Sequence, residues 1–265
     1  MKQLSNTKNV VRWLGRLCGA TGIILALICL IAPAGVWVGL WDFRRGFSIL
    51  RFVDSWGLWF VYSGLALMML MVLTALISQP RQPFLKSGIF AAVGLALGVL
   101  AWMVPQSYRP TEGENIPAIH DITTNPESPL SFETIVALRG DSSNTLVYGG
   151  APGMTPEKLA MLQREAYPQI VPQTYAESAN DTYQRALQVV ESLGWEIVST
   201  DEARARIEAV DTTFWFRFKD DVVIDIDPYD GGSVLNARSI SRVGRSDVGK
   251  NAARLLAFFE VMKAN

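Results

Sequence analysis

Three apolar runs, each without a charged residue, constrain this chain more than any other feature. They cover about residues 17–40, 56–77 and 88–104. A bilayer core about 30 Å thick requires roughly 17–25 residues of helix, so each run is long enough to cross it. Tryptophan, which prefers the headgroup zone, stands near the run ends at Trp37, Trp41, Trp56, Trp59 and Trp102. The pattern predicts a membrane domain over residues 1–105 with three transmembrane helices.

The first run has a second interpretation, as a cleaved signal peptide. Lys2, Lys8, Arg12 and Arg16 precede it, and Ala32-Pro33-Ala34 resembles a cleavage site. Two further runs follow, so the mature chain would stay in the membrane either way. No run holds an ionisable side chain that would mark an ion or substrate path, which favours an anchor over a channel.

Charge divides the chain into two blocks. Through Pro105 there are nine Lys or Arg and two Asp or Glu, whereas from Gln106 onward there are fifteen and twenty-three. An acidic domain argues against nucleic acid as a partner, because phosphate binding needs a positive face. Both cysteines, Cys18 and Cys29, fall in the first run, so the acidic block has no disulfide and no cysteine nucleophile.

The basic residues in the short flanks predict the orientation in the membrane. With the N-terminus inside, the cytoplasmic side holds Lys2, Lys8, Arg12, Arg16, Arg81 and Lys86. The other side holds Arg44, Arg45, Arg51 and Arg109. This six-to-four bias predicts that the soluble domain lies outside, which in a bacterial inner membrane is the periplasm.

Residues 106–265 are predicted to form one soluble domain with an extended, proline-rich start. Proline fixes φ and lacks a donor, which disfavours a helix there. These prolines are Pro105, Pro110, Pro117, Pro126 and Pro129. Thr155-Pro156 predicts a short helix that ends before Tyr167, and Ser178 caps a longer one that Gly194 stops.

Alternating segments then predict several antiparallel strands. They are 195–200, 204–210, 214–218, 222–227 and 234–243, with a turn at 211–213 and a hairpin turn at Asp230-Gly231-Gly232. A final helix is expected from Ser246-Asp247. The order predicts an α+β fold, a β-meander covered on one face by helices, with the other face solvated or free to bind a ligand.

Seven uncommon strings occur in this domain in a fixed order. They are 116–124, 148–150, 166–168, 194–198, 211–213, 218–223 and 238–247. From about Asn115 to the C-terminus the chain therefore resembles a bacterial and plant family known as domain of unknown function 1499. The resemblance implies that the proline-rich segment belongs to the domain, and it implies no activity or cofactor. Element order alone is similar to helix-grip modules, such as those of outer-membrane-assembly lipoproteins.

Three sets of residues are weak candidates for catalysis or metal binding. His120 beside Asp121 could serve as a general base or metal ligand oriented by a carboxylate, although a hydrogen-bonded loop histidine explains the pair better. Ser246 lies in Gly244-Arg-Ser-Asp-Val-Gly249, which superficially resembles a nucleophile elbow, but the spacing is wrong and a helix N-cap fits better. Asp225, Asp227 and Asp230 resemble a calcium loop whose spacing fails, so no metal or cofactor is predicted.

The strongest candidate for ligand binding is a set of arginines on the face opposite the apolar one. The set is Arg206, Arg217, Arg238 and Arg242, with Arg245 close by. Guanidinium groups bind phosphate or carboxylate bidentately, so an anionic lipid, a glycan or an envelope protein is an expected partner. Cross-strand ion pairs with Asp225 and Asp227 on the same face also explain the arrangement well, and the anion site is the functional alternative to them.

Three functions remain open at this point. A membrane-anchored, non-enzymatic module that binds a ligand or partner is the leading hypothesis. A hydrolase of an envelope ester or phosphodiester, using His120, Asp121 and the arginines, is the alternative. A scaffold of a membrane complex is the third, and it predicts an exposed apolar patch instead of a pocket.

Overall fold

A computed structural model describes residues 2–78, 85–107, 109 and 116–264. The chain divides into two compact units, Met1–Arg109 and Pro110–Asn265. The extended conformation expected at Pro110 falls outside the described residues.

The first unit consists of three long helices, as predicted. They are α1 (Lys2–Trp37), α2 (Phe43–Ile77) and α3 (Leu85–Gln106), and each is long and apolar enough to cross a membrane. Helix α2 begins at Phe43, well before the apolar run that starts at Trp56. Asp42 caps it, because its carboxylate accepts the N–H of Arg45 at 3.0 Å. Pro105 lies in the last turn of α3 rather than in extended chain. A proline removes only one donor there, at a point where the helix is about to end.

Glycines allow α1 and α3 to approach closely. A Cβ added at Gly22 would lie 1.8 Å from the carbonyl oxygen of Gly94, and one added at Gly94 would lie 2.2 Å from that of Gly19. Gly98 meets Gly22 in the same way, at 3.0 Å from its Cα. Small residues at a helix interface let backbones pack without intervening side chains, which is how apolar helices associate in lipid.

The second unit is an α+β domain built on one antiparallel sheet, which confirms the predicted fold class. Its strands are β1 (Asp121–Thr123), β2 (Gln173–Tyr175), β3 (Glu196–Asp201), β4 (Arg206–Thr212), β5 (Lys219–Tyr229) and β6 (Gly232–Ser241). The sheet order is β1-β6-β5-β4-β3, and β2 pairs with β6 beside β1. The helices are α4 (Pro156–Ala166), α5 (Ala179–Ser192) and α6 (Lys250–Ala264), and Ile135–Leu138 forms a 3-10 helix.

The signals for α4, α5 and the hairpin act as the sequence predicts. Thr155 and Ser178 accept the N–H groups of Lys158 and Asp181, which caps α4 and α5. Gly194, just past α5, takes the left-handed conformation that a helix stop requires. The β5–β6 turn falls at Asp230 and Gly231, between the paired residues Tyr229 and Gly232.

The main core lies between the sheet and helices α5 and α6. Alternate residues of the strands, among them Ile207, Ile224 and Leu235, point to this side and are fully buried. Val190 of α5 and Phe258 of α6 pack against them. Period-two alternation in the strands is therefore what places the helices on this face.

Most of the opposite face is covered by the chain itself, which corrects the prediction of a solvated face. Residues 130–148, the cover segment, pack over it. Phe132 and Ile135 of this segment form a second core with Val210, Val223 and Ile240 of the sheet. The strands alternate because the second face holds buried ion pairs beside these apolar residues, and not because that face meets water.

Two further predictions about elements are wrong. Residues 214–218 form the loop of the β4–β5 hairpin instead of a strand, because β4 ends at Thr212 and Thr213 bonds back to Phe218. Helix α6 begins at Lys250 and not near Ser246. The Asp247 carboxylate, rather than Ser246, accepts the first N–H groups, from Gly249 and Asn251, both at 2.8 Å.

Candidate functional site

Strand alternation brings Arg206, Arg238 and Arg242 to the face of the sheet that the cover segment packs on. Asp121 of β1, Asp221 and Asp225 of β5, and Glu208 of β4 lie on the same face. All three arginines are paired with these carboxylates. Of the cross-strand ion pairs considered from the sequence, the one with Asp225 is present, while Asp227 is exposed and Asp121 and Asp221 pair with the other two arginines.

Arg238 is the most completely enclosed of the three. Its Nε and Nη2 donate to the two Asp121 oxygens at 2.9 and 2.8 Å, and its Nη1 and Nη2 donate to the carbonyls of Leu130 and Leu146. Its guanidinium also lies over the rings of Phe132 and Tyr148, 5.4 and 5.6 Å from their centroids. With 2% of the residue exposed, Arg238 fastens the cover segment to the sheet.

Arg242 and Arg139 share one fully buried carboxylate. Arg242 donates to Asp221 through Nε and Nη2 at 2.7–3.2 Å, and Arg139 of the cover segment donates to the same group. Burial lowers the pKa of Arg139, and the charge of Asp221 opposes that shift. Asp221 thus ties the middle of the cover segment to strands β5 and β6.

Arg206 and Glu208 hold the start of the cover segment. Arg206 donates to Asp225 at 2.7 Å and to the carbonyl of Ser131. Glu208 accepts the backbone N–H groups of Glu133 and Ile135 at 2.6 and 2.8 Å. Burial raises the pKa of Asp225, and Arg206 counteracts part of that effect.

A polar depression lies beside these residues, on the β3–β4 side of the sheet. It is lined by Glu133, Thr134, Ser199, Asp201, Arg204, Arg206 and Glu208. We call it the β3–β4 depression. Arg204 donates to both oxygens of Glu133 at 2.9 Å and to Asp201 at 2.7 Å, and these bonds hold the pKa values of both carboxyls below their usual range.

One donor in the β3–β4 depression is buried without an acceptor. The Nε–H of Arg206 makes no hydrogen bond among the described residues, and the nearest carboxylate oxygen, of Glu133, is 3.8 Å away. Leaving a buried donor unpaired costs about 1–3 kcal/mol, more for a charged group. An acceptor brought within hydrogen-bonding distance of this Nε–H would relieve the cost.

Arg217 and Arg245 do not join the other three arginines. Both are exposed, Arg217 in the β4–β5 loop and Arg245 in the segment after β6. Neither makes an ion pair with any side chain that the structure describes. The predicted arginine set therefore divides into three enclosed residues and two exposed ones.

The structure separates His120 from the Asp121 carboxylate. Asp121 is bound to Arg238 on the covered face, and the His120 ring donates from Nδ1 to the carbonyl of Arg245 at 3.3 Å. Neighbouring residues of an extended chain point to opposite sides, so adjacency in sequence does not bring the two groups together. The dyad expected for a hydrolase is not assembled.

The aspartates considered for calcium have other partners or stand apart. Asp225 is held by Arg206, while Asp227 is exposed and Asp230 lies in the hairpin turn with a positive φ. Over the described ranges, no group of three or more His, Cys, Asp or Glu side chains is arranged to hold a metal ion.

Sequence reasoning missed a second polar cluster, on the helix side of the sheet. Arg254 of α6 donates to Asp211 at 2.8 Å and to Asp220 at 2.6 Å, and it bonds Asn251. Asn251 in turn donates to the carbonyl of His120 at 3.0 Å. The sequence does hold a signal for this cluster, because Asn251 and Arg254 interrupt the apolar face of the final helix. This cluster joins α6 to the end of the sheet.

Comparison with known proteins gives one result for this domain. A family described as "Protein of unknown function (DUF1499)" matches residues 121–262. No curated protein matches the chain. The matched range begins at β1 and ends in α6, so it includes the whole sheet, the cover segment and the β3–β4 depression. The chain belongs to the DUF1499 family of proteins of unknown function.

Proposed function

We propose that this chain is a membrane-tethered, non-enzymatic binding module that holds an envelope glycan in its β3–β4 depression. The observation that carries the proposal is the buried Nε–H of Arg206, which lines the depression and has no acceptor among the described residues. The surrounding carboxylates, hydroxyls and guanidinium groups supply acceptors and donors side by side, which suits sugar hydroxyl and carboxylate groups.

The proposal gives the other arginines a structural role. Arg238 and Arg242 hold the cover segment in place, and that segment contributes Glu133 and Thr134 to the lining of the depression. Their guanidinium groups are enclosed and paired with Asp121 and Asp221, whereas the rim residue Arg204 is exposed, although it too is paired, with Glu133 and Asp201.

We also propose that the protein resides in a bacterial inner membrane with this domain in the periplasm. Three apolar helices support a membrane protein. The six-to-four distribution of Lys and Arg in the flanks supports the orientation. A periplasmic domain would meet envelope glycans directly.

Native mass spectrometry of the full-length protein, released gently from its own membranes, tests the binding proposal. We expect a discrete extra mass on the wild-type chain, with sugar-unit spacing. Arg204→Gln should lose that mass, because Arg204 forms the rim of the depression. Arg217→Gln is the matched control, since it also removes an exposed guanidinium.

Each other outcome has a definite meaning. An extra mass that persists in Arg204→Gln would contradict the β3–β4 depression as the site. A lipid or polypeptide mass would contradict the glycan assignment. A bare mass for all three proteins would contradict the binding function.

A scaffold within a membrane complex is the second candidate. Val136, Leu138 and Val147 of the cover segment are about half exposed or more, although the segment packs tightly beneath them. Exposed apolar side chains favour a protein contact. Val136→Ser with Leu138→Ser should then reduce the size of the assembly on a native gel, and an unchanged assembly would contradict this candidate.

A further inference from the structure

We infer that the β4–β5 loop, residues 213–219, inserts its aromatic tip into the headgroup zone of the bilayer that carries the protein. This inference is independent of the ligand in the β3–β4 depression. It rests on the composition and exposure of the loop, on its backbone conformation and on its place in the fold.

The loop combines exposed aromatic and basic side chains. Its sequence is Thr-Phe-Trp-Phe-Arg-Phe-Lys, with no acidic residue. Phe214 is 69% exposed and Trp215 is half-buried. Arg217 and Lys219 are exposed. Aromatic rings with flanking cations are what the membrane interface favours, because rings enter the headgroup zone while cations meet lipid phosphate.

The loop has a fixed shape that presents this tip. The backbone N–H of Thr213 donates a hydrogen bond to the carbonyl of Phe218 at 2.8 Å, and the Thr213 hydroxyl accepts the N–H of Phe218. The Phe216 and Phe218 rings lie 5.9 Å apart, and Phe216 is buried. The Phe216 side chain is therefore buried at the base of the loop, while the Phe214 side chain is exposed.

Arg217 holds a conformation that ordinary residues avoid. Its φ is 54°, in the left-handed region, where a glycine or asparagine would be less strained. Such strain persists where the surrounding structure enforces it, and it is often found at functional positions. Here it places a cation beside the aromatic tip.

The loop lies at the end of the sheet where the chain enters the domain. Thr212 pairs with Lys219, and the carbonyl of Lys219 accepts the N–H of Arg242 just past β6. The neighbouring Ser241 donates to the carbonyl of His120, and Asp247 donates to that of Ile119. Residues 119–120, the end of β6 and the β4–β5 loop thus share one end of the sheet.

The stretch of chain between the third apolar helix and the domain is short. The third apolar helix ends at Gln106, and the described part of the domain resumes at Ile116. Ten residues of fully extended chain span at most about 35 Å. An aromatic loop at the entry end is therefore within reach of the headgroups.

Other exposed charges at this end are mixed. Arg245 and Lys250 add two cations, and Asp141 and Glu196 add two carboxylates. The positive excess therefore comes from the loop itself, through Arg217 and Lys219. Negatively charged lipid should strengthen the contact through these two residues.

Site-specific fluorescence in the full-length protein tests the inference. An environment-sensitive fluorophore is attached at Phe214→Cys, and the protein is placed in nanodiscs of phosphatidylcholine and phosphatidylglycerol. Both native cysteines are buried and stay unlabelled, which the unmutated protein verifies. We expect emission at shorter wavelength than in water, and quenching by lipids that carry a nitroxide at the headgroup.

Tyr229→Cys provides the matched control. Tyr229 is another exposed hairpin aromatic, 58% exposed, but it stands at the opposite end of the sheet. Its label should show neither the shift nor the quenching. Equal emission and quenching at both positions, or a shift at 214 without quenching, would overturn the inference.

A second measurement needs no label. Hydrogen exchange of peptides over 213–219 is compared in the same nanodiscs between the wild type and Arg217→Glu with Lys219→Glu. Amide hydrogens of the variant should exchange faster over 213–219 and at the wild-type rate elsewhere. The reason is that the negative charge of phosphatidylglycerol repels the two glutamates and so displaces the loop from the bilayer. Identical exchange in the two proteins would overturn the inference.

Discussion

Arg238 shows how one side chain can join two layers of this domain. It binds Asp121 bidentately, donates to two carbonyls of the cover segment and lies over two aromatic rings. Alternation along β6 predicts the face on which Arg238 lies. The sequence pattern does not reveal what covers that face, because the cover segment is irregular and carries no periodic signal.

Arg238→Met should destabilise the domain strongly. Removing one partner of a buried ion pair costs about 3–5 kcal/mol, because the other charge is left uncompensated. At about 2–4 °C per kcal/mol for a domain of this size, the Tm of the full-length protein in detergent should fall by roughly 10 °C. Differential scanning fluorimetry measures this.

Arg217→Met is the control for Arg238→Met, since its guanidinium is exposed. Its Tm should stay close to that of the wild type. If Arg238→Met also melted near the wild-type temperature, Arg238 would not be a structural residue, and its role as an anion-binding residue would return.

The Arg204 contacts give a pH dependence whose sign follows from two pKa shifts. The pKa values of Glu133 and Asp201 are below their usual 4.5 and 3.8, chiefly because each accepts hydrogen bonds from Arg204. A lowered folded-state pKa contributes stability that is present above the unfolded value and lost as the pH falls through the folded value.

We therefore compare the Tm of the wild type and Arg204→Gln between pH 7 and pH 3. The wild type should melt higher at pH 7, and the difference should shrink as the pH falls below 4.5. Burial raises the pKa of Asp225 and Asp247 in both proteins, so their opposite effect largely cancels in the comparison. A difference that grew toward pH 3 would contradict this account.

At the scale of elements, the sequence predicts most of the helices and the central strands. Thr155, Ser178 and Gly194 mark helix ends through local chemistry, and the long strands alternate. The three-residue strands β1 and β2 are too short to show alternation. The period-two repeat of Phe214, Phe216 and Phe218 predicts a strand over 214–218, but the whole of 214–218 forms the loop between β4 and β5.

Glu208 ties the cover segment to β4 through two backbone N–H groups. Glu208→Gln leaves one acceptor oxygen in place of two, so one buried N–H loses its partner at a cost of about 1–3 kcal/mol. If this cost lowers the free energy of local opening of the segment by the full amount, hydrogen exchange over residues 130–138 should accelerate by roughly 5- to 150-fold.

Glu196→Gln is the matched control, because Glu196 is exposed at the start of β3. It should leave exchange over 130–138 unchanged. Equal protection in Glu208→Gln and the wild type would show that the cover segment is held by its apolar contacts alone.

The glycine contacts between α1 and α3 predict a steric effect. Gly94→Leu would place a side chain where a Cβ already lies 2.2 Å from the backbone of Gly19, so the helices must separate. The detergent-solubilised protein should lose its monodisperse peak on size exclusion at a lower temperature. Ala96→Leu, on the exposed side of α3, should behave like the wild type.

An outcome in which both leucine variants lose the peak at the same temperature would contradict this close packing. The effect would then reflect added bulk in α3 and not its glycine face.

At the scale of the whole molecule, the sequence predicts an anchor of three helices and an α+β domain, and both are present. The β3–β4 depression was beyond sequence reasoning, because Glu133 comes from the cover segment while Arg204 lies between β3 and β4. Only the folded chain brings them together.

The proposal depends most on which side of the membrane the domain occupies, because that decides which molecules it can meet. The direct measurement fuses alkaline phosphatase, and separately a fluorescent protein that matures only in the cytoplasm, after Asn265 of the full chain. The account predicts an active phosphatase and a dark fluorescent protein. An inactive phosphatase with a bright fluorescent protein would place the domain in the cytoplasm and contradict the account.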